Sequence, residues 1–227
     1  MLYEVEVLEN RVDTINAYTL ILSKPEGFSY KAGQFVHLQT THNNKPIRRS
    51  YSIASSPHEE TIHITIRVQE QGTVSPQLAK LQEKDKLIMI GPFGDFRRGE
   101  EEHTLFIAAG SGITPCISYL REAQQKNDTR AFTLLYTNKT TNDLLYHEEL
   151  SQIQKNWFTY QPTLTREEWE EKNGRITKQE IKKHLTENTV VYLCGSNAFI
   201  RAMNEHLQEL NIPSNNIRVE NYGNITS

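Results

Sequence analysis

The hydrophobic pattern of this chain changes character once, near residue 101, and that change constrains the fold more than any other feature. Before it, apolar and polar residues alternate in short stretches, most clearly over residues 62–68. A period of two is typical of half-buried strands. After it, continuously apolar stretches such as residues 105–109 alternate with stretches of helical period, as in parallel sheets covered on both faces. The sequence therefore predicts two domains, residues 1–100 and 101–227.

The first domain contains six stretches with the strand pattern, and Gly, Pro or Asn clusters separate most of them. The expected strands cover residues 3–7, 17–22, 34–39, 47–53, 62–68 and 86–90. Closing such strands into a barrel removes the exposed edges of the sheet. We therefore predict a small antiparallel β-barrel.

The second domain alternates strands with helices. The expected strands cover residues 105–109, 132–136, 158–162, 190–194 and 217–220, and the later expected helices cover residues 145–154, 178–185 and 198–210. The first helix is expected to have Thr114 as its N-cap and Pro115 at its first position, where a missing N–H does no harm. This alternation predicts a doubly wound parallel sheet.

Composition excludes several classes of protein. A net charge of −3 gives no sign of nucleic-acid binding. Two cysteines, Cys116 and Cys194, cannot build a disulfide framework or ligate an iron–sulfur cluster. The longest apolar run is too short to cross a membrane, and the first twenty residues lack the apolar segment of a signal peptide. We expect a cytoplasmic protein with no metal site and no membrane insertion. Any electron-transfer role would need another cofactor or a partner protein.

A stretch in the fourth expected strand carries Arg49, Ser50, Tyr51 and Ser52. Because strand side chains alternate, Arg49 and Tyr51 are expected on one face and the two serines on the other. Arg49 can bind a phosphate with paired hydrogen bonds, Tyr51 can lie against an aromatic ring system, and Ser52 can donate or accept a hydrogen bond. An amphipathic strand with an exposed arginine explains these residues equally well.

About twenty residues later, Gly72, Thr73, Val74 and Ser75 lead into Pro76. A glycine followed by a Ser-Pro pair, here Ser75 and Pro76, is typical of a helix start, whose N–H groups can bind phosphate. Most helix starts are only caps. This one gains weight because it follows the arginine-containing stretch.

A glycine-rich turn is expected directly after the buried strand 105–109. Gly110 and Gly112 would let the backbone approach a ligand closely, and Thr114 and Pro115 would open a helix that favours a pyrophosphate. The pattern is a variant of the full dinucleotide-binding fingerprint and is weak when taken alone. Its position between a strand and a helix strengthens it.

Three further candidates stand at the ends of later strands, the edge at which open α/β sheets bind ligands. Cys194 and Gly195 end one strand, and Glu220 ends another. A small buried hydrophobic residue is the more common role of a free cysteine, and a solvated surface residue is the more common role of a glutamate. Neither Cys194 nor Glu220 indicates a site by itself.

Taken together, the motifs resemble those of the ferredoxin–NADP reductase superfamily, which includes reductase modules of aromatic oxygenases and free-flavin reductases. The resemblance extends over nearly the whole chain and rests on seven motifs in the family's order: 32–35, 49–52, 72–75, 91–96, 110–115, 194–195 and 220–222. It implies an antiparallel six-stranded Greek-key β-barrel for the flavin, followed by an α/β doubly wound five-stranded parallel sheet for the nicotinamide nucleotide. The implied protein is an NAD(P)H-dependent flavoprotein reductase with FAD and either NADPH or NADH.

The resemblance also implies roles for the flavin-binding residues. Arg49 would bind the flavin phosphate and Tyr51 would pack against the isoalloxazine ring, with Ser50 in the same motif. Ser52 would form a hydrogen bond near flavin N5, the atom that accepts the hydride. Contacts of Gly72–Ser75 with a pyrophosphate would favour FAD over FMN.

For the nicotinamide nucleotide, the resemblance implies a second set of residues. The turn residues that would hold the dinucleotide are Gly110, Gly112, Thr114 and Pro115. Cys194 and Gly195 would lie beside the nicotinamide, and Glu220 would position it or relay protons. Tyr222 would pack near the flavin, although the chain continues for five residues beyond it, unlike plant-type members that end on an aromatic residue.

Three functions stay open at this point. The first is a reductase for a separate protein acceptor such as ferredoxin, flavodoxin or an oxygenase component. The second is a reductase of free flavin or another small acceptor, and the third is a non-catalytic electron-relay or regulatory subunit. Lys139 after the second expected strand favours NADPH slightly. Basic residues between 172 and 183 suggest a docking surface for an acidic partner, although charge runs are usually solvated.

Overall fold

The computed structural model describes residues 1–96, 99, 101–153 and 156–221, with residue 221 described by its backbone only. The chain divides into two compact units. The first unit consists of Met1–Arg98 together with Thr114–Asp128, and the second consists of Gly99–Ile113 together with Thr129–Ser227. The compact first unit therefore includes the segment 114–128. The predicted domain limits, 1–100 and 101–227, remain a prediction.

Six antiparallel strands form the sheet of the first unit: β1 (Leu2–Thr14), β2 (Ala17–Ser23), β3 (Phe35–His42), β4 (Lys45–Ser52), β5 (Thr61–Arg67) and β6 (Lys86–Phe93). They are ordered β4-β3-β6-β1-β2-β5. An antiparallel bridge between Ile53 and Ile64 joins the two outer strands and closes the sheet. Alternate apolar side chains of the strands, such as those of Leu20 and Ile62, fill the interior. The predicted barrel is confirmed.

Strand β1 is much longer than the predicted stretch 3–7. Its first part, Leu2 to Glu6, pairs with β6, and its second part, from Val7 to Thr14, pairs with β2 through two register shifts. A shift in register moves side chains to the opposite face. The alternation in the sequence therefore breaks down where the strand itself continues.

Five parallel strands form the sheet of the second unit: β7 (His103–Ala109), β8 (Ala131–Asn138), β9 (Phe158–Leu164), β10 (Thr189–Gly195) and β11 (Ile217–Asn221). Their order is β11-β10-β7-β8-β9, so the chain starts near the middle and winds outward in both directions. This confirms the predicted doubly wound sheet. Within the described ranges, no helix is both long and apolar enough to cross a membrane.

The helices are α1 (Ser75–Leu78), α2 (Thr114–Lys126), α3 (His147–Ser151), α4 (Lys178–Lys183) and α5 (Asn197–Glu209). The helix predicted over 145–154 is shorter in the structure, where a separate 3-10 turn over Thr141–Asp143 precedes it. The cause is Tyr146, which has φ +59° and so cannot be part of a right-handed helix. Residue 154 lies outside the described residues.

Candidate functional site

The predicted flavin motif occupies the end of β4, which pairs with β3. Tyr51 lies opposite Val36, and its ring packs against the apolar core of the barrel. Burial raises the pKa of the Tyr51 hydroxyl to about 12, so this ring is neutral and can present a face to another aromatic system. Ser52 is only 3% exposed and lies opposite Phe35.

Arg49 and Ser50 precede Tyr51 on β4. The Arg49 side chain is exposed, and its Nη1 donates a hydrogen bond to the Arg48 carbonyl oxygen at 2.8 Å. A guanidinium has about five N–H donors, so donors of Arg49 are left for an anion. The Ser50 hydroxyl is bonded to His37 Nδ1 at 3.0 Å. The donor set at this strand end fits a flavin phosphate.

The turn over residues 72–75 is more tightly closed than the sequence suggests. The predicted helix start is present, but α1 is a single turn beginning at Ser75. The Gly72 N–H donates to the Gln69 carbonyl at 2.7 Å, and the Ser75 hydroxyl accepts from the Gln69 N–H at 3.2 Å. Among the described residues of this turn, the N–H groups of Thr73, Val74 and Ser75 are the donors left for a phosphate.

The predicted dinucleotide turn follows β7 and is packed on one side only. Gly110 has φ +56°, and a Cβ added there would meet nothing within 4 Å. By contrast, a Cβ on Gly112 would lie 2.4 Å from the Cys194 carbonyl oxygen and 2.8 Å from the Gly195 nitrogen. The turn therefore rests on the end of β10 and leaves open space at Gly110, which fits a ligand approaching the backbone.

The first helix after this turn begins differently from the prediction. Residues Gly110–Ile113 form a 3-10 turn, and α2 continues directly from Thr114. Thr114 is thus already helical and is not an extended N-cap, since the chain coils before it. Both Thr114 and Pro115 are buried.

Tyr136 on β8 is a residue of this site that sequence reasoning missed. Its side chain is fully buried, and its hydroxyl donates to the Gly110 carbonyl oxygen at 3.0 Å. The same hydroxyl accepts from the Leu145 N–H at 3.3 Å. In the sequence, Tyr136 is only one more large residue of an apolar strand, and nothing there indicates that its hydroxyl holds the turn.

Cys194 and Glu220 are direct partners in the register of β10 and β11. Cys194 is fully buried. Burial raises the pKa of the Glu220 carboxyl to about 7, so Glu220 is not an ordinary solvated glutamate and can hold or release a proton near neutral pH. Gly195 lets α5 approach closely, because a Cβ there would lie 2.7 Å from the Phe199 ring. Tyr222, also a predicted site residue, lies outside the described residues.

Comparison with known proteins assigns both units to families. A family model described as an oxidoreductase FAD-binding domain matches residues 5–98, and one described as an oxidoreductase NAD-binding domain matches residues 106–205. Ferredoxin–NADP reductase B from Sorangium cellulosum (strain So ce56) is 27% identical over 212 residues, which cover 87% of each protein. The chain belongs to the ferredoxin–NADP reductase superfamily. The two matches confirm the prediction of an FAD-binding domain followed by a domain that binds a nicotinamide nucleotide.

One further relative and one solved structure are also similar to this chain. Flavohemoprotein A from Dictyostelium discoideum is 28% identical over 218 residues, which cover 88% of this chain and 54% of that protein. The chain therefore spans about half the length of that relative. The crystal structure of a ferredoxin NADP+ reductase from Neisseria gonorrhoeae with bound FAD and NADP matches with a TM-score of 0.88, covering 97% of this chain and 98% of that one at 22% identity. That likeness is one of fold.

Proposed function

We propose that the protein is an FAD-dependent NAD(P)H oxidoreductase that passes electrons from the nicotinamide nucleotide, through the flavin, to a separate protein acceptor. The observation that carries the proposal is the carboxyl end of the parallel sheet. There, an open turn at Gly110 rests on Cys194, and Cys194 is paired with a carboxyl whose pKa is about 7. Such an edge can hold a dinucleotide and supply a titrating group beside it.

When bound, the nicotinamide nucleotide supplies a hydride that the flavin accepts. The residues of the chain bind and orient the two cofactors. Arg49 binds the flavin phosphate, Tyr51 supplies an apolar face for the ring, and Ser52 donates a hydrogen bond near N5. Gly110 and Gly112 hold the dinucleotide close to the backbone.

For the nucleotide donor, the loop after β8 favours NADPH over NADH. Recognition of a ribose 2′-hydroxyl needs an available carboxylate. Asp143 instead accepts hydrogen bonds from the N–H and hydroxyl of Thr140, and Glu167 accepts from Thr141. Lys139 and Arg166 are exposed and adjacent, since the Arg166 N–H donates to the Lys139 carbonyl at 2.9 Å. Two such cations can bind a 2′-phosphate.

A separate protein is the acceptor that the chain fits best. Its two cysteines are fewer than the four thiolates that an iron–sulfur cluster usually needs. The similarity to ferredoxin–NADP reductase B favours a ferredoxin-type acceptor. The basic stretch between 172 and 183 gives less support, because Lys172 pairs with Glu180 and Lys178 with Glu209.

The visible spectrum of the purified protein, recorded anaerobically before and after addition of NADPH or NADH, tests the proposal. We expect a yellow protein that bleaches at a lower concentration of NADPH than of NADH. A colourless protein that reduces added riboflavin would instead be a free-flavin reductase. A protein with neither flavin nor turnover would be a relay or regulatory subunit.

Arg49→Ala and Ser52→Ala are expected to separate flavin binding from flavin reduction. Arg49→Ala should weaken flavin binding roughly tenfold or more, because a charge-assisted pair of hydrogen bonds is lost. Ser52→Ala should leave flavin binding largely intact and slow reduction of the flavin by roughly tenfold. Flavin titration measures the first effect and anaerobic stopped flow the second. Normal reduction in Ser52→Ala would show that its assigned role is wrong.

Glu220→Gln is expected to remove a pH dependence centred near pH 7, which is where the pKa of Glu220 lies. An ionised Glu220 carboxylate would stabilise the positive charge of an oxidised nicotinamide ring held beside it. Flavin reduction in the wild type should therefore rise roughly tenfold between about pH 6 and 8, whereas reduction in the variant should stay flat. Stopped flow across this range measures both proteins.

The pH dependence of the free energy of unfolding tests the ionisation of Glu220 independently. The folded-state pKa of Glu220 lies above its ordinary value of 4.5, so its contribution to stability is lost as the pH rises through about 7. Glu220→Gln should accordingly stabilise the second unit above that pH. Glu209→Gln serves as the control, because the Glu209 carboxyl is exposed and Lys178 lowers its pKa. Equal pH profiles in wild type and Glu220→Gln would contradict the assignment.

A further inference from the structure

Helix α2 belongs to the first unit and presents three polar side chains on one face to another segment of that unit. Ser118, Arg121 and Gln125 are spaced three and four residues apart, which places them on one side of the helix. Ser118 is fully buried, although the surrounding residues of the helix are mostly apolar. A buried hydroxyl in such a helix requires a specific partner.

The partner is the segment 54–56, which begins two residues after Ser52. The Ser118 hydroxyl donates to the Ser55 carbonyl oxygen at 2.6 Å, and Arg121 Nη1 lies 3.3 Å from the Ala54 carbonyl oxygen. The Ser56 hydroxyl donates to the Gln125 side-chain oxygen at 2.6 Å. All three residues of the segment are fully buried. Side chains of α2 therefore form hydrogen bonds with polar groups of this buried segment.

The barrel supports the same segment from its other side. The Tyr30 hydroxyl lies within hydrogen-bond distance of the Ser55 carbonyl oxygen at 3.1 Å and of the Ser56 carbonyl oxygen at 2.8 Å. The Ala54 N–H donates to the His63 carbonyl oxygen at 2.8 Å. Both α2 and Tyr30 thus hold the backbone that follows β4.

We propose that Ser118 and Arg121 are positioning residues for flavin reduction, which hold the segment 54–56 and through it the Ser52 hydroxyl. The inference rests on the proposed function, in which Ser52 acts near flavin N5. A misplacement of about 1 Å in a reacting geometry can cost roughly 100-fold in rate. A shift of a few tenths of an ångström at Ser52 is therefore sufficient to be measured.

Ser118→Ala is the first test variant. It removes one hydrogen bond to the Ser55 carbonyl, but the Tyr30 hydroxyl stays within reach at 3.1 Å, so the carbonyl is not left without a donor. We expect flavin content and nucleotide Kd to be unchanged, and the limiting rate of flavin reduction in anaerobic stopped flow to fall roughly tenfold. Ser118→Thr keeps the hydroxyl and should restore the rate.

Two more variants, one at Arg121 and one control at Glu122, complete the test. Arg121→Lys keeps the positive charge but loses the planar guanidinium, and we expect it to slow reduction as well. Glu122→Gln is the matched control on the next residue of α2, because Glu122 contacts His58 and Lys126 and has no bond to the segment 54–56. It should reduce at the wild-type rate. Normal reduction in both Ser118→Ala and Arg121→Lys overturns the proposal.

A double-mutant cycle of Ser52→Ala with Ser118→Ala separates this inference from the function it rests on. If Ser118 acts through Ser52, the double variant should be about as slow as Ser52→Ala alone. Rate effects that multiply independently would overturn the inference. A slow Ser52→Ala beside a normal Ser118→Ala would overturn it too and leave the proposed function standing. A normal Ser52→Ala would instead remove the proposed role of Ser52 itself.

Discussion

Gly33→Ala is expected to destabilise the first unit by about 2–5 kcal/mol and to release its flavin. A Cβ on Gly33 would lie 2.0 Å from the Phe96 carbonyl oxygen and 2.4 Å from the Tyr119 hydroxyl oxygen. These two groups are themselves hydrogen-bonded to each other, so neither can move away without breaking that bond. The φ of Gly33 is +83°, which adds backbone strain to the clash.

Gly27→Ala is the matched control for the backbone strain. Gly27 has φ +72°, and a Cβ there would meet nothing within 4 Å. Its substitution should cost only about 1 kcal/mol. The difference in free energy of unfolding between Gly33→Ala and Gly27→Ala therefore measures the steric clash alone.

Hydrogen exchange of the barrel strands, followed by mass spectrometry, reports the stability of the first unit without depending on bound flavin. The second unit is followed separately by tryptophan fluorescence, because both tryptophans of the chain, Trp157 and Trp169, belong to it. We expect faster exchange in the barrel and an unchanged tryptophan signal. Equal exchange rates in Gly33→Ala and Gly27→Ala would show that the close approach at Gly33 is not needed.

Barrel strands such as β2 and β5 were predictable from sequence because apolar residues that are buried alternate in them with more polar ones. The strand predicted over residues 17–22 is observed over Ala17–Ser23, and that predicted over 62–68 is observed over Thr61–Arg67. The second half of β1 could not be predicted in this way, since its register shifts interrupt the alternation. Position-specific backbone geometry, such as the left-handed Tyr146 before α3, leaves no trace in the apolar pattern.

The candidate site was predictable in its residue types but not in its contacts. The sequence indicates glycines at 110 and 112, yet only the structure shows that close packing requires Gly112 and that Gly110 has a left-handed φ beside open space. The altered pKa of Glu220 depends on burial by residues distant in the chain. The hydrogen bond of Ser118 could not be predicted for the same reason, because its partner Ser55 lies 63 residues away.

Gly112→Ala is expected to weaken binding of the nicotinamide nucleotide by roughly 100-fold, which corresponds to about 2.7 kcal/mol. A Cβ at this position would lie 2.4 Å from the Cys194 carbonyl oxygen, 2.6 Å from its carbonyl carbon and 2.8 Å from the Gly195 nitrogen. All three are backbone atoms of β10 and its end, so no flexible side chain can give way. The turn would therefore have to shift away from the strand, and its N–H groups would no longer point at the ligand.

Two glycines of the second unit provide the controls for Gly112→Ala. Gly174 has φ +98° and Gly110 has φ +56°, and a Cβ on either would meet nothing within 4 Å. Gly174→Ala should cost about 1 kcal/mol of stability through strain alone and leave nucleotide binding unchanged. Gly110→Ala should cost a similar amount, but it should also weaken binding, because the open space beside it is where we place the ligand. Calorimetric titration with NADPH measures binding, and urea unfolding followed by tryptophan fluorescence measures stability. Wild-type affinity in Gly112→Ala would contradict the packing argument, and wild-type affinity in Gly110→Ala would place the nucleotide elsewhere on the sheet.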